Sequence, residues 1–327
     1  MDPSDSRDHV VPGTDEELDG ADVRGYDFRG DVDLTALLES YATTGFQATH
    51  LADAIDIADR MRADDATIYL TLTSNVISSG LREVVAALVR EGYVDVLITT
   101  AGSITEDVIK TAKPFKMGRW TADEAALRER GINRLGNIFV PSDRYVWLEE
   151  YLYDFFDDFF AEDAIRTPSE FARELGETLD DEDSVLKQAA EHDVPIYCPA
   201  LTDAEVGNFL YYYRQRPDTA DVGIEIVEDY DSLISDGMLR DTTGLIAVGA
   251  GVPKHHAIMT NLFRGGADYA IYIQTGMEGD GSLSGAPPNE AVSWGKIKAT
   301  DETNYTEINA EATLVFPLLV AGAFFAD

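Results

Sequence analysis

The sequence is poor in cysteine and in long apolar runs. Cys198 is the one cysteine among 327 residues, so the chain cannot form an internal disulfide. No run of 18 apolar residues occurs, and no short apolar segment follows an N-terminal basic cluster. A transmembrane helix and a secretory leader are therefore not expected, and we predict a cytoplasmic protein without membrane contact.

Basic residues are scarce as well. The chain has 25 Lys and Arg against 61 Asp and Glu, which gives a formal net charge of −36. Because the acidic residues are spread along the whole length, the composition is typical of a protein adapted to molar salt, where charge repulsion is screened over roughly 3 Å. We do not expect so acidic a chain to bind nucleic-acid phosphates.

Several short catalytic signatures are also missing. The sequence contains no GxGxxG, no HExxH and no GxSxG. The adjacent residues His255 and His256 have no His or Cys partner at metal-ligand spacing, and neighbouring side chains usually point apart. The pattern therefore predicts no metal site, and on spacing alone it favours a structural histidine pair.

The chain is predicted to form one domain behind an arm. Residues 1–34 are acidic and rich in Gly, Pro and Ser, so we expect a mobile arm there and a single catalytic domain over 35–327. Five β-branched apolar runs within that domain are predicted strands: 67–73, 94–100, 194–200, 244–250 and 267–275. Continuous apolar runs separated by helices indicate an α/β fold, with a parallel sheet covered by helices on both faces.

Two further segments carry secondary-structure signals. Residues 222–229 are expected to begin with another strand. The stretch 145–160 places aromatic residues at helical spacing, which predicts a core or subunit-contact helix and not a cofactor site.

The loops that follow the predicted strands are polar, and several are rich in glycine. In a parallel sheet these loops lie at the carboxyl ends of the strands, where ligands bind. Their backbone N–H groups and hydroxyls could hold the phosphates of a dinucleotide, and their carboxylates could hold ribose hydroxyls. Without the GxGxxG fingerprint, spacing alone leaves an NAD-type cofactor as one possibility.

One lysine stands out because the chain has only seven. Lys296 follows Trp294 and Gly295 behind an apolar run. A lysine in aromatic surroundings readily loses its proton and can act as a nucleophile. Alternatively, its stem packs on Trp294 while its ammonium reaches water. The residues of this stretch leave both interpretations open.

Eight sequence blocks in a fixed order resemble the deoxyhypusine synthase family. They run from about residue 35 to the C-terminus: TSNVISSG, TTAG followed by EDVIK, GINRLGN, PALTD, KHH, GADYAIYI, EAVSWGKI and ATLVFPLL. The resemblance implies a homotetramer with a Rossmann-like fold. Such an enzyme uses NAD to move an aminobutyl group from spermidine to one lysine of translation initiation factor 5A.

The same resemblance implies a catalytic role for Lys296, which lies in the WGK block. In the family, NAD takes a hydride from the carbon that bears the amine, and the enzyme lysine captures the resulting imine. The lysine of the protein substrate then displaces the enzyme lysine. His255 matches the pocket histidine that accepts or relays a proton. A lysine must be neutral to attack, and Trp294 could shield it from water.

The family's ligand-binding positions fall mainly in the loops. Those that contact NAD match Ser74, Asn75, Ser78, Thr100, Ala101, Gly102, Glu106, Asp203, Thr275, Gly276, Asp280, Glu311 and Ala312. Those that line the polyamine channel match Thr105, Glu106, Asn208, His255, Gly281, Leu283, Glu290 and Trp294. Glu311 stands where the family has aspartate.

Three channel positions depart from the family pattern. Thr105, Asn208 and Leu283 stand where the family has carboxylates that hold spermidine, whereas Glu106 and Glu290 remain. Each lost charge-assisted hydrogen bond costs roughly 1.5–3 kcal/mol. A donor with fewer charges and a planar end group suits such a channel, so we expect agmatine as the amine donor. The alternative is spermidine, bound by carboxylates from other positions.

A function of a different class also stays open. The chain could be a catalytically silent NAD-binding relative that serves as an assembly or regulatory subunit. The intact Lys296, His255 and Asp203 favour the enzyme. The family's blocking N-terminal helix has no sequence counterpart before residue 35, so gating of the active site is not assumed.

Overall fold

The computed structural model describes residues 11, 18, 20–300 and 302–326. Most of residues 1–19, and with them the first part of the predicted arm, lie outside the described residues. Residues 20–33 are largely exposed, and the backbone N–H of Arg24 donates to the carbonyl of Thr43.

Helices and strands alternate along the described chain. The helices are α1 (Leu34–Glu39), α2 (Gln47–Ala63), α3 (Ser74–Ser78), α4 (Arg82–Arg90), α5 (Ala101–Ala112), α6 (Glu124–Glu129), α7 (Asp143–Phe159), α8 (Pro168–Glu177), α9 (Val185–Glu191), α10 (Glu205–Tyr213), α11 (Ile226–Met238), α12 (Val252–Phe263), α13 (Pro288–Ser293) and α14 (Ala312–Ala323), with 3-10 turns at Ser40–Thr43 and Glu278–Asp280. The strands are β1 (Thr67–Leu72), β2 (Val96–Ile98), β3 (Lys116–Met117), β4 (Ile132–Leu135), β5 (Ile138–Pro141), β6 (Ile165–Arg166), β7 (Ile196–Tyr197), β8 (Gly223–Ile224), β9 (Thr243–Val248), β10 (Tyr269–Gln274) and β11 (Tyr305–Asn309). None of the described helices is long and apolar enough to cross a bilayer.

A six-stranded parallel sheet forms the centre of the fold. Its strand order is β11-β10-β9-β1-β2-β7, and every neighbouring pair is parallel. Numbered first to sixth along the chain, these strands lie in the order 6-5-4-1-2-3, which is that of Rossmann folds. The predicted α/β fold is confirmed. The chain changes direction along the sheet between β1 and β9, so a crevice forms at their carboxyl ends.

Each of the five apolar runs predicted as strands contains one strand of this sheet. Residues 222–229 also begin with a strand, although β8 pairs with β6 in a separate two-stranded sheet. The sixth strand of the main sheet, β11, was not predicted from sequence. It is an edge strand in which buried and partly exposed residues alternate, so it lacks the continuous apolar run that marks the central strands.

The aromatic segment predicted as a core or subunit-contact helix is α7. Its buried face includes Phe155, Phe156 and Phe159. The Phe155 ring lies edge-on to Phe171 of α8, with 5.5 Å between the ring centroids. In the single chain these rings are therefore part of the core.

A buried salt bridge fixes α5, which begins at the carboxyl end of β2. Arg82 Nε donates to Asp107 Oδ1 at 2.5 Å, and both side chains are almost fully buried. The other oxygen, Asp107 Oδ2, accepts from Ser184 Oγ and from the backbone N–H of Leu186, each at 2.8 Å. Because the carboxylate is fully satisfied, α5 is held against α4 and the start of α9.

The residue before Asp107 in the same helix, Glu106, carries a second buried carboxyl group. Ser78 Oγ donates to Glu106 Oε2 at 2.5 Å. Burial raises the pKa of Glu106 to about 7, while the Ser78 hydrogen bond and the charge of Lys110 act in the opposite direction. The folded protein therefore holds a proton on Glu106 more tightly than the unfolded chain does.

We predict that Glu106 makes the fold less stable as the pH rises. The free energy of unfolding should fall by about 3 kcal/mol between pH values of about 4.5 and about 7, because the folded pKa lies above the unfolded one. Glu106→Gln keeps an oxygen for Ser78 and should lack this fall. Urea unfolding of both proteins across that range measures it, with exposed Glu91→Gln as the control. Parallel pH profiles for wild type and Glu106→Gln would contradict the assignment.

Candidate active site

Six of the residues predicted from sequence line one cavity of about 490 Å³: His255, Gly281, Leu283, Glu290, Trp294 and Lys296. They come from the start of α12, the loop after β10, α13 and the turn that follows α13. The remaining wall is largely apolar and includes Ile258, Leu262 and Pro287. The cavity thus combines an amine, an imidazole and a carboxylate with a surface suited to an alkyl chain.

The backbone of Lys296 is fixed on both sides. Its N–H donates to the carbonyl of Ala291 in α13, and its carbonyl accepts from the N–H of Ala267, each at 2.9 Å. Gly295 precedes it with a φ of 70°, a left-handed conformation that favours glycine. The turn after α13 therefore directs the Lys296 side chain into the cavity while its backbone is held by hydrogen bonds.

The Lys296 amine lies beside aromatic and imidazole groups. Nζ is 5.5 Å from the centre of the Trp294 ring, and it makes no ion pair with any residue in the described ranges. Trp294 itself is 66% exposed, so in one chain it shields only one side of the amine. Complete removal of water requires another group over Trp294, either a bound amine or a second copy of the chain.

The two adjacent histidines have different surroundings, as their spacing predicts. Partial burial and the neighbouring Lys296 ammonium lower the pKa of His255, so its imidazole is neutral and can accept a proton. His256 packs on Tyr230, with 4.6 Å between the ring centroids. Burial and His255 lower the pKa of His256 to about 4. His255 is thus the histidine available for chemistry, and His256 is structural.

Two further cavity residues were not predicted from sequence. Lys254 is buried in the cavity wall, and burial lowers the pKa of its ammonium to about 8, whereas the charges of Glu307 and Glu290 raise it. The Tyr272 hydroxyl is buried without a hydrogen-bond partner among the described residues. Lys254 belongs to the KHH block, but Tyr272 is part of a strand pattern that gives no functional signal.

A second group of predicted residues lies at the carboxyl ends of β1 and β2. A Cβ at Gly102 would be only 2.9 Å from Ser74 Cβ, so glycine allows these two loops to approach. Across the crevice, a Cβ at Gly249 would lie 2.8 Å from Thr73 Oγ1. The narrow, glycine-lined junction of β1 and β9 fits the phosphate part of a dinucleotide, which needs close backbone approach.

Three other predicted cofactor residues make contacts that stabilise the fold. Glu311 caps α14 by accepting from the N–H of Thr313 at 3.0 Å. Gly276 is required by packing, because a Cβ there would be 2.4 Å from the Ser284 carbonyl. Asp280 Oδ1 accepts from the N–H of Ser282 at 2.7 Å. These contacts give each residue a structural function that is independent of any cofactor.

Four predicted residues lie outside the cavity wall. Thr105 is buried in α5, with an unpaired hydroxyl in the described chain, and Glu106 follows it. Asn208 is exposed on α10, and Asp203 is exposed just before that helix. A single chain therefore does not bring Thr105, Glu106, Asn208 and Asp203 together with Lys296 in the cavity.

Comparison with known proteins identifies the family of the chain. The family model of deoxyhypusine synthase matches residues 36–323. A probable deoxyhypusine synthase of Halobacterium salinarum is 76% identical over 324 residues, which cover 99% of this chain and 98% of that protein. One from Thermococcus gammatolerans is 46% identical over 326 residues, covering 95% and 96% of the two chains.

A solved structure of the same family has a similar fold. The crystal structure of a protein assigned as deoxyhypusine synthase from Entamoeba histolytica superposes with a TM-score of 0.68 at 28% identity, covering 93% of this chain and 97% of that chain. With the family model and these relatives spanning nearly the whole sequence, the chain belongs to the deoxyhypusine synthase family.

Proposed function

We propose that this transferase of deoxyhypusine synthase type moves a butylamine-type group from an amine donor to a lysine of translation initiation factor 5A, in the cytoplasm. The observation that carries the proposal is the shared cavity of Lys296, His255 and Glu290. When bound, NAD would accept a hydride from the donor carbon that bears the amine and later return it. The residues of this chain bind the donor, move protons and hold the group to be transferred.

Each of the three cavity residues has a distinct role in this proposal. Glu290 binds the cationic donor in an otherwise apolar cavity. His255, whose pKa is lowered by burial and by Lys296, takes a proton from the amine. Once its ammonium has lost a proton, Lys296 attacks the oxidised carbon of the donor, the amine on that carbon leaves, and the rest of the donor stays bound to Lys296 as an imine. The lysine of the acceptor protein then displaces Lys296.

NAD fits at the junction of β1 and β9. The N-terminal ends of α3 and α5, at Ser74 and Thr100, supply hydroxyls and backbone N–H groups for the phosphates. Asp203, exposed before α10, supplies a carboxylate for a ribose hydroxyl. The support for this assignment is the Rossmann strand order together with the close approach of Gly102 to Ser74 and of Gly249 to Thr73.

We predict that Lys296→Arg abolishes group transfer while the fold and NAD binding change little. Arginine keeps the charge and the bulk but stays protonated, so it cannot form an imine near neutral pH. The measurement is transfer of donor-derived mass to the acceptor protein, together with an NAD titration. Retention of more than about a tenth of the wild-type rate would contradict the imine role.

Two variants complete this experiment. Lys298→Arg changes a lysine two residues away, whose Nζ pairs with Asp268 outside the cavity, and should leave transfer intact. Asp203→Ala should differ from Lys296→Arg in the NAD titration, because loss of a hydrogen bond to the cofactor weakens NAD binding by roughly 1.5–3 kcal/mol.

The cavity also supports agmatine as the donor. Glu290 is the one carboxylate in its described wall, and Leu283 presents an apolar surface where the family has an acid. Agmatine has one amine to be oxidised and a planar guanidinium at the other end. Its oxidation at the amine carbon, capture by Lys296 and loss of ammonia would leave a guanidinobutyl group on the lysine. Asn208 is exposed outside this cavity, so it can contribute to donor binding only from a second copy.

We predict that agmatine supports transfer at molar KCl better than spermidine does. Replacement of both Leu283 and Asn208 by Asp should restore carboxylates for a polyamine and shift the preference toward spermidine. Mass spectrometry of the acceptor protein distinguishes a guanidinobutyl from an aminobutyl product. Turnover of spermidine with none of agmatine would overturn this choice of donor.

A basic surface supports assembly into a homotetramer. Residues 113–144 contain seven Lys and Arg and four Asp and Glu, whereas the rest of the chain has 18 and 57. The three-stranded sheet of this segment, β3-β5-β4, also presents Met117 and Trp120, which are 77% and 71% exposed. A cationic surface with exposed apolar side chains is complementary to the acidic surface of another copy.

We predict that the double substitution Lys116→Glu and Arg119→Glu lowers the oligomer mass measured by light scattering in molar KCl. Both side chains are exposed, and neither forms an ion pair in the described chain. Reversed charges would face an acidic partner and repel it. Arg214→Glu, exposed on another surface, is the control. An unchanged tetramer in the double variant would exclude this face as the subunit contact.

A further inference from the structure

Lys254 is a buried cation whose hydrogen-bond acceptors are neutral oxygen atoms and not a carboxylate. Its side chain is 1% exposed. Nζ donates to Gln274 Oε1 and to the carbonyl of Ala286, each at 2.9 Å, and to the carbonyl of Leu283 at 3.2 Å. An ammonium has three N–H groups, so all three are satisfied in this position.

An aromatic ring makes an additional contact with the Lys254 ammonium. Nζ lies 4.2 Å from the centre of the Tyr272 ring, within the range of a cation–π interaction. A neutral amine has two N–H groups for the same three acceptors and would leave one of them without a hydrogen bond from Lys254. Both features favour the charged side chain at this position, held between α12 and the loop after β10.

Two of the three acceptors belong to the loop 275–287, which we call the donor loop. Its two ends touch through backbone contacts, since a Cβ at Gly276 would lie 2.4 Å from the Ser284 carbonyl and one at Gly285 would lie 2.2 Å from the Met277 carbonyl. The donor loop carries Leu283 and leads into α13, which carries Glu290. Lys254 thus binds the loop from the inner side, next to the cavity.

On its other side, Lys254 is connected to the sheet. Gln274, which ends β10, accepts from Lys254 and donates through Nε2 to Glu307 Oε1 of β11 at 2.7 Å. Lys254 is also the chain neighbour of His255. One side chain therefore connects the helix of the pocket histidine, two strands of the sheet and the donor loop.

We propose that Lys254 is a positioning residue that holds the donor loop, and with it Leu283, in place opposite His255. The proposal rests on the function proposed above for this cavity. Without the ammonium, the carbonyl of Leu283 keeps only the N–H of Ala286 at 3.3 Å and the carbonyl of Ala286 only Gln274 Nε2 at 3.5 Å, so the loop can move away from the cavity. The backbone of Lys296 is held separately by Ala267 and Ala291. Donor binding should therefore suffer more than the chemical step.

The experiment compares Lys254→Met with Lys298→Met. Methionine keeps the length of the side chain but donates no hydrogen bond, whereas Lys298 pairs with Asp268 away from the cavity wall. In Lys254→Met, amide hydrogen exchange in peptides from 275–287 should be faster by about tenfold or more. The KM for the amine donor should rise about tenfold, while kcat and the Kd for NAD stay within about threefold of wild type.

Two more variants give an independent test. Gln274→Met removes one acceptor of Lys254 and a contact to β11. In the double variant with Lys254→Met, the rise in donor KM should be smaller than the product of the two single rises, because both residues act through one network. Lys254→Arg keeps the charge, so it should raise the exchange rate in 275–287 and the donor KM by less than Lys254→Met does. It replaces Lys254→Met if that variant does not fold.

The outcomes separate the two proposals. Unchanged exchange in 275–287, or an unchanged donor KM alongside faster exchange, would overturn the role of Lys254. A wild-type enzyme that transfers nothing from any amine would overturn the proposed function instead. In that case the exchange measurement still decides whether Lys254 holds the donor loop.

Discussion

Parallel pairing of six strands is the constraint on which the site depends. Because all six strands run in one direction, the loops that follow them meet at one edge of the sheet, although they are distant in sequence. The change of direction between β1 and β9 opens a crevice there, and glycines at Gly102 and Gly249 let the loops approach closely. His255 lies in the first turn of α12, at the β9–β10 half of this edge, whereas the backbone of Lys296 is bonded to Ala267, just before β10 begins, and its side chain reaches the cavity that also contains His255.

Much of this arrangement could be predicted from the sequence, because central parallel strands are buried on both faces and therefore appear as continuous apolar runs. β11 could not be predicted in the same way, since an edge strand buries only alternate residues. The residue blocks identified Lys296, His255 and Leu283, which do share a cavity. Three-dimensional contacts were needed for the rest: Asn208 lies outside that cavity, and two of the three acceptors of Lys254 come from a loop about thirty residues further along the chain.

The charge distribution links the enzyme's surface to its substrate. Acidic residues dominate the chain, yet the cavity wall described here contains one carboxylate, Glu290, beside two lysines. A donor with several positive charges would find little compensation there, whereas one guanidinium and an alkyl chain suit an apolar wall. The same scarcity of acid is found in the basic segment 113–144. We infer that local departures from the acidic composition mark the two surfaces proposed here to bind the donor and a second subunit.

The most direct measurement is borohydride trapping of the enzyme with NAD and agmatine, in the absence of the acceptor protein, followed by peptide mass analysis. Reduction converts an enzyme-bound imine to a stable amine, so the modified lysine and the mass it carries are both read out. We expect a guanidinobutyl group on the peptide that contains Lys296. No adduct, or an adduct on Lys254 in the same cavity, would contradict it.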